Sequence, residues 1–132
     1  MRGSLVVAVA VGMFMSAALS AHHGGAAYDN GKVVMLKGAV VQWVYSNPHC
    51  LLTVDVKGED GASVRWIAET QAPNVVYPAG YHKDSFKVGD EVTVNVEPVK
   101  NGHPLGRIRE VILADGTTLG GIGSVPVPPK GQ

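Results

Sequence analysis

Short runs of β-branched, aromatic and leucine residues, separated by glycine, asparagine, aspartate and proline, occupy the chain from Lys32 onward. This arrangement is typical of an all-β domain, because the residues of the runs suit strands and the residues between them suit tight turns. We place five strands at residues 33–45, 50–57, 63–69, 91–97 and 105–113. Strands this short and this closely spaced limit the fold to a small β-barrel or a small β-sandwich.

The segments between the strands indicate how they connect. Residues 58–61 and the Asn101-Gly102 pair carry the signals of tight hairpins, between strands two and three and between strands four and five. The longest connection, residues 70–86, lacks the two-residue period and contains Pro73 and Pro78, so we expect it to hold one short helical turn. Two hairpins and one long connection predict a five-stranded Greek-key barrel of the OB type, with a small β-sandwich as the alternative.

Alternation within the fourth strand predicts which of its side chains form the core. Valines occupy positions 92, 94 and 96, and polar residues, ending with Glu97, occupy the positions between and after them. Because successive side chains of a strand point to opposite faces, we expect the valine face to be buried and the face with Glu97 to contact water. Gly38 is the expected site of a bend or bulge in the long first strand.

Charge and composition exclude several classes of partner. The 132 residues carry 11 Lys plus Arg and 11 Asp plus Glu, so the formal net charge is zero. Without an excess or a run of basic residues, no attraction to nucleic acid or to an anionic membrane surface is predicted. The only cysteine, Cys50, cannot form an intramolecular disulfide, and we expect its thiol to lie in the core.

The first 21 residues have the order of a secretory signal peptide. Arg2 precedes an apolar run at residues 5–15, and small residues follow at 16–21. The run is shorter than the roughly 20 apolar residues that a membrane-spanning helix needs, so no membrane span is expected after cleavage. We predict a signal peptide at 1–21, a single β-barrel domain at 22–119 and a flexible C-terminal tail at 120–132, with the product periplasmic or secreted. Cleavage after Ala18 or Ser20 satisfies the small-residue rule, and cleavage after Ala21 makes His22 the new N-terminus.

Several short motifs follow one another along the chain, namely Ala21-His22-His23 with Tyr28-Asp29, Trp43 with Asn47-Pro48-His49, Gly80-Tyr81, Gly89-Asp90-Glu91-Val92 and Asp115-Gly116. Together they resemble a family of small exported bacterial proteins of unknown function, whose members open with a His-His pair after the signal peptide and carry a tryptophan followed by Asn-Pro-His. The resemblance extends from His22 to Leu119 and implies export and a small β-barrel, with no established activity. Gly24 departs from the serine that commonly follows the His pair, and Tyr81 departs from a common tryptophan.

Histidines are the residues of this chain best suited to metal chemistry. If cleavage falls after Ala21, the α-amine and the imidazole of His22 can chelate one ion together, and an imidazole from the barrel would complete a three-nitrogen site. This set looks like a copper histidine brace, and nitrogen donors in such a geometry favour Cu(II). We take His49 as the best candidate for the barrel ligand and His23 as the next. The alternative is a solvated leader and an ordinary turn histidine.

These observations favour an exported, non-enzymatic binding module whose cofactor, if it has one, is copper. A metal-free interaction module of the cell envelope is the alternative, with Trp43, Tyr45 and Tyr81 as the face that docks an envelope protein. A copper-dependent oxidase is a third hypothesis. No catalytic residues are assigned, because the chain has no nucleophile motif and no argued pair of carboxylates. His82 and His103 lie in polar loops and are expected to be solvated.

Overall fold

Six strands, one short α-helix and two 3-10 turns are found in residues 25–120, the part of the chain that the structure, a computed structural model, describes. The first 3-10 turn is Gly25–Ala27. The strands are β1 (Val34–Val44), β2 (Leu51–Lys57), β3 (Ser63–Glu69), β4 (Glu91–Pro98), β5 (Leu105–Ile112) and β6 (Thr118–Leu119). The helical turn α1 (Pro73–Val76) continues into a 3-10 turn, Tyr77–Ala79. No helix within residues 25–120 is long and apolar enough to cross a membrane. The predicted signal peptide, and the predicted tail beyond Gly120, lie outside the described residues.

The first five strands close into a barrel. Antiparallel ladders join β3 to β2, β2 to β1, β1 to β4 and β4 to β5. The barrel is then closed by a short parallel ladder, in which Ile67–Glu69 of β3 lie beside Leu105–Arg107 of β5. This order confirms the predicted five-stranded OB-type barrel, with α1 in the long connection where a helical turn was expected. The additional strand β6 was not predicted, and it pairs only with Val111 and Ile112 at the end of β5.

The long strand β1 belongs to two parts of the barrel wall at once. Its first half pairs with β4 and its second half with β2, and Gly38 and Ala39 take part in both ladders. A β-carbon added at Gly38 would lie 2.2 Å from the backbone oxygen of Asp55, so only glycine allows this close approach. The register shift itself falls between Val40 and Gln42, two residues later than the bend expected at Gly38. β1 therefore bends just after Gly38 and Ala39, where its pairing partner changes from β4 to β2.

The alternating side chains of all five barrel strands fill the interior. The valines at positions 92, 94 and 96 are buried as predicted, and Leu52, Val54 and Ala68 meet them from β2 and β3. Cys50 is a free, fully buried member of the same cluster, which confirms its predicted place in the core. Burial raises the pKa of the Cys50 thiol, because a thiolate would lose its hydration there.

Glu97 is buried although it lies on the outer face of β4. It was expected to contact water, but it is only 6% exposed. The register shift between Asn95 and Val96 places the extra residue in β5, at Arg109, and Val96 stays in the core, so the two-residue period of β4 continues. The buried carboxylate is compensated by two arginines of β5, because Arg107 donates to its Oε2 and Nη1 of Arg109 forms an ion pair with its Oε1 at 3.1 Å.

Candidate metal-binding site

The segment that follows the predicted histidine leader is held against the barrel. We call residues 27–29 the strap. The backbone N–H of Asp29 donates to the oxygen of Pro98 at 2.9 Å, and the N–H of Lys100 donates to the oxygen of Ala27 at 3.0 Å. Tyr28 lies between these two bonds in a β-bridge with Val99. The strap thus adds a short antiparallel contact to the end of β4, and the chain upstream of it starts from a fixed place on the barrel.

Tyr28 anchors the strap through its side chain. The ring is buried, the guanidinium of Arg107 lies 4.8 Å from the ring centroid, and the hydroxyl donates to Oε1 of Glu69 at 3.2 Å. Burial, and then the nearby charge of Glu69, raise the pKa of Tyr28 from 10.0 to about 12. The phenol therefore keeps its proton at neutral pH and acts as a hydrogen-bond donor to the carboxylate.

His49 lies near the same carboxylate oxygen. Its Nδ1 is 3.9 Å from Oε1 of Glu69 and 3.1 Å from the backbone oxygen of Thr70. A carbonyl oxygen can only accept, so Nδ1 carries the hydrogen and Nε2 carries the free lone pair of the neutral ring. The His49 side chain is 36% exposed, whereas that of Glu69 is only 14% exposed. The imidazole is thus held from its Nδ1 side and open to solvent on part of its surface.

Backbone pairing explains why His49 reaches this position. Immediately after it, Cys50 is paired with the chain that leaves β3, because Cys50 N–H donates to Gln71 O at 3.1 Å and Thr70 N–H donates to Cys50 O at 2.9 Å. This pair of bonds extends the contact between β2 and β3 by one step beyond the regular ladder, which ends at Leu51 and Glu69. His49 directly precedes the paired residue Cys50, and this places its ring within reach of Thr70.

The structure places one of the three predicted metal ligands. His22 and His23 lie outside the described residues, and within residues 25–120 no three His, Cys, Asp or Glu side chains come together as a metal site. Cys50, although next to His49 in sequence, has its thiol in the core. His82 stacks edge-on against Tyr77 at 4.5 Å, and His103 is exposed. His49 is therefore the only one of these histidines whose ring hydrogen-bonds a backbone carbonyl within residues 25–120.

The predicted aromatic docking face is wrong in one essential part. Tyr81 is fully buried, and its hydroxyl donates to the oxygen of Leu119 at 3.4 Å. Trp43 packs against Phe86 with ring centroids 4.9 Å apart and donates from Nε1 to the oxygen of His82 at 2.9 Å. Tyr45 is half-buried. Trp43 and Tyr45 pack against the core with their rings 5.9 Å apart, and Tyr81 lies beneath the surface and cannot be part of a docking face.

Sequence reasoning missed the partners that orient His49. Glu69 and Thr70 lie about twenty residues further along the chain, and a pattern search within one strand does not connect them to His49. One sequence feature points to Glu69, namely its charge, which is opposite to that of Arg107, the residue it faces in the ladder between β3 and β5. The two charges can be paired only once the strand order is known.

A second feature missed by the sequence is an open groove at the end of the barrel where the β4–β5 turn meets the strap. Its volume is about 290 Å³. The lining consists of Asp29, Lys32, Val34, Trp66, Pro98, Val99, Lys100, Gly102 and His103. The groove is lined by apolar side chains from the barrel and by charged side chains from the strap region and the turn.

A family model covers residues 10–108 of the chain, a stretch that includes His22, His23, His49 and the first five strands as far as Ile108. That family is described as one of unknown function. No curated protein and no solved structure matches the chain. By this family match, the chain belongs to the family of unknown function DUF6152.

Proposed function

We propose that this protein is an exported binding module that holds Cu(II) between its N-terminal histidines and His49. The observation that carries the proposal is the hydrogen bond from Nδ1 of His49 to the backbone oxygen of Thr70. Histidines that bind a metal through one ring nitrogen almost always donate the other N–H to a carbonyl or a carboxylate, which fixes the tautomer and the ring orientation. His49 has the carbonyl at 3.1 Å and the Glu69 carboxylate at 3.9 Å on that side.

Chain length supports the contribution of His22 and His23. Five residues separate His22 from Tyr28 along the chain, and three of them form the 3-10 turn Gly25–Ala27. The six steps from His22 to Tyr28 span at most about 20 Å, and less with that turn. Tyr28 is bonded to the same Glu69 carboxylate that lies beside His49. The leader therefore starts at a residue whose side chain shares a carboxylate with the candidate ligand, so the chain from His22 has only a short distance to span.

The donor set determines the metal that we propose. A cleaved N-terminus at His22 would supply an amine and an imidazole, and His49 would supply Nε2, so all three donors are nitrogen. Cu(II) stands highest among the divalent ions in affinity for such donors and accepts a tetragonal or T-shaped arrangement. His23 is the substitute if the chain begins at a different residue. Export matters to this proposal because signal cleavage is what creates the free amine.

The test combines the mass of the exported protein with a copper titration. Native and denaturing mass spectrometry of the protein purified from the periplasm gives the first residue and the metal content together. The apo protein is then titrated with Cu(II) in competition with a chromophoric chelator. We expect a chain that begins at His22 and binds one copper.

The matched variants are His49→Ala and His103→Ala. The first should weaken copper binding at least tenfold, because it removes one nitrogen from the set, and His103→Ala should not. Equal affinity for copper in wild type and His49→Ala would refute the site. A metal-free chain that begins at His22 would instead leave the interaction module as the description of this protein.

A further inference from the structure

The groove beside the β4–β5 turn carries polar groups that the fold leaves without partners. Within residues 25–120 the ammonium groups of Lys32 and Lys100 make no ion pair, and the indole N–H of Trp66 makes no hydrogen bond. No buried side-chain nitrogen in that part of the chain lacks a partner, so the half-buried Trp66 has its N–H open to solvent. Trp43 differs, because its indole N–H is already bonded to His82.

The backbone on both sides of the groove is held in place. Lys100 follows the buried pair Pro98 and Val99, and its N–H donates to the strap. The turn after it is closed by Asn101, whose side-chain oxygen accepts from the N–H of His103 at 3.0 Å, and by Gly102 with a φ of 80°. Lys32 N–H donates to the oxygen of Asp29 at 3.0 Å. The two lysines are thus presented by fixed backbone segments, and a ligand would have to order only their side chains.

We propose that this groove binds a small aromatic carboxylate. The ring would lie against Trp66, where Val34 and Val99 complete an apolar wall, and the carboxylate would accept from Lys32 and Lys100 at the mouth. A volume of about 290 Å³ is at the lower limit of ligand sites, which suits one ring and its acid group and excludes an oligomer. Asp29 carries the only negative charge in the lining, and Lys32 and Lys100 give the groove a net positive charge. This site is independent of the copper proposal.

Two-dimensional proton–nitrogen NMR provides a direct test, because the chain has two tryptophans and only one of them lines the groove. Benzoate is added to the labelled protein, and benzamide, which has the same ring without the charge, is the control ligand. The Trp66→Phe variant assigns the two indole signals. We expect benzoate to shift the Trp66 indole signal with a Kd on the order of 1–10 mM, as suits a ligand of this size, and to leave the Trp43 signal in place.

Charge variants then test the proposed position of the carboxylate. Lys100→Gln should weaken benzoate binding roughly threefold, as for the loss of one partly exposed ion pair, and Asp29→Asn should strengthen it by a similar factor. Lys83→Gln is the control, because Lys83 is exposed and does not line the groove. Opposite effects at Lys100 and Asp29 are the specific signature of an anion held at this mouth.

Three results would overturn the proposal. The first is no shift of the Trp66 signal at benzoate concentrations up to about ten times the expected Kd. The second is an equal shift with benzamide, which would mean that the groove is an apolar surface without selectivity for the charge. The third is a shift of Trp43 in place of Trp66, which would put the ligand elsewhere on the barrel.

Discussion

The hydroxyl of Tyr28 is the clearest single-atom test of the strap. In Tyr28→Phe the ring keeps its buried position and its contact with Arg107, and only the bond to Glu69 is removed. A hydrogen bond to a charged acceptor contributes about 1.5–3 kcal/mol, and water can partly replace the phenol because Glu69 is 14% exposed. We therefore expect a loss of about 1–2 kcal/mol in the free energy of unfolding at pH 7. For a domain of this size that equals roughly 4–16 °C in Tm.

Urea unfolding of wild type, Tyr28→Phe and Tyr77→Phe measures this loss. Tyr77 is 59% exposed and its hydroxyl has no hydrogen bond within residues 25–120, so its variant should change stability by less than about 0.5 kcal/mol. The m-value should stay the same in all three proteins, because the fold is unchanged. If Tyr28→Phe were as stable as Tyr77→Phe, the Tyr28–Glu69 bond would not hold the strap.

The pH dependence of the same pair provides an independent check. The pKa of Tyr28 is about 12 in the folded protein against 10.0 for an ordinary tyrosine, so the folded state keeps the proton longer than the unfolded chain does. The stability that comes from this difference is complete below pH 10 and is lost as the pH rises from 10 to 12. Wild type should therefore lose its advantage over Tyr28→Phe across that window. The pKa of Tyr81 is also raised by burial, but both proteins contain Tyr81, and its effect cancels in the comparison.

Three further outcomes are expected from the barrel itself. Glu97→Gln weakens the contacts with two partly exposed arginines of β5, so the free energy of unfolding in urea should fall by about 1–2 kcal/mol. An unchanged urea midpoint would contradict the role given to this carboxylate. Gly38→Ala should lower the free energy of unfolding by more than about 3 kcal/mol or prevent folding, because its β-carbon would lie 2.2 Å from the backbone oxygen of Asp55. Gly31→Ala is the control, since its β-carbon has no atom within 4 Å, and thermal unfolding should show that it folds normally. Cys50 should react with iodoacetamide only after denaturation, and alkylation of the native protein, read by intact mass, would show that its environment opens.

The strands were predictable because each is bounded by turn residues and carries its own two-residue period. All five predicted strands lie within one residue of the observed bounds at each end. β6 was missed because two residues provide no period. Gly120, predicted to begin the tail, is buried and donates to Ala79 at 3.3 Å, a contact that depends on a turn forty residues earlier.

The candidate site was less predictable, because its geometry depends on contacts between distant parts of the chain. His49 was identified from its residue type and its neighbouring proline, but nothing in the sequence indicates that its Nδ1 faces Thr70. The error at Glu97 has the same origin. Alternation places Glu97 on the outer face of β4, but arginine side chains of the partner strand β5 cover it there, which the pattern within one strand does not show.

Closure of the barrel is what brings these groups together. The parallel ladder between β3 and β5 sets Glu69 directly opposite Arg107. Glu69 accepts from Tyr28 and lies beside His49, and Arg107 stacks on the Tyr28 ring and bonds to Glu97. This three-residue ladder therefore positions the two groups that contact the Tyr28 side chain, Glu69 and Arg107. An open sheet with the same five strands would separate Glu69 from Arg107, and it would leave Tyr28 without the two groups that hold the strap beside His49.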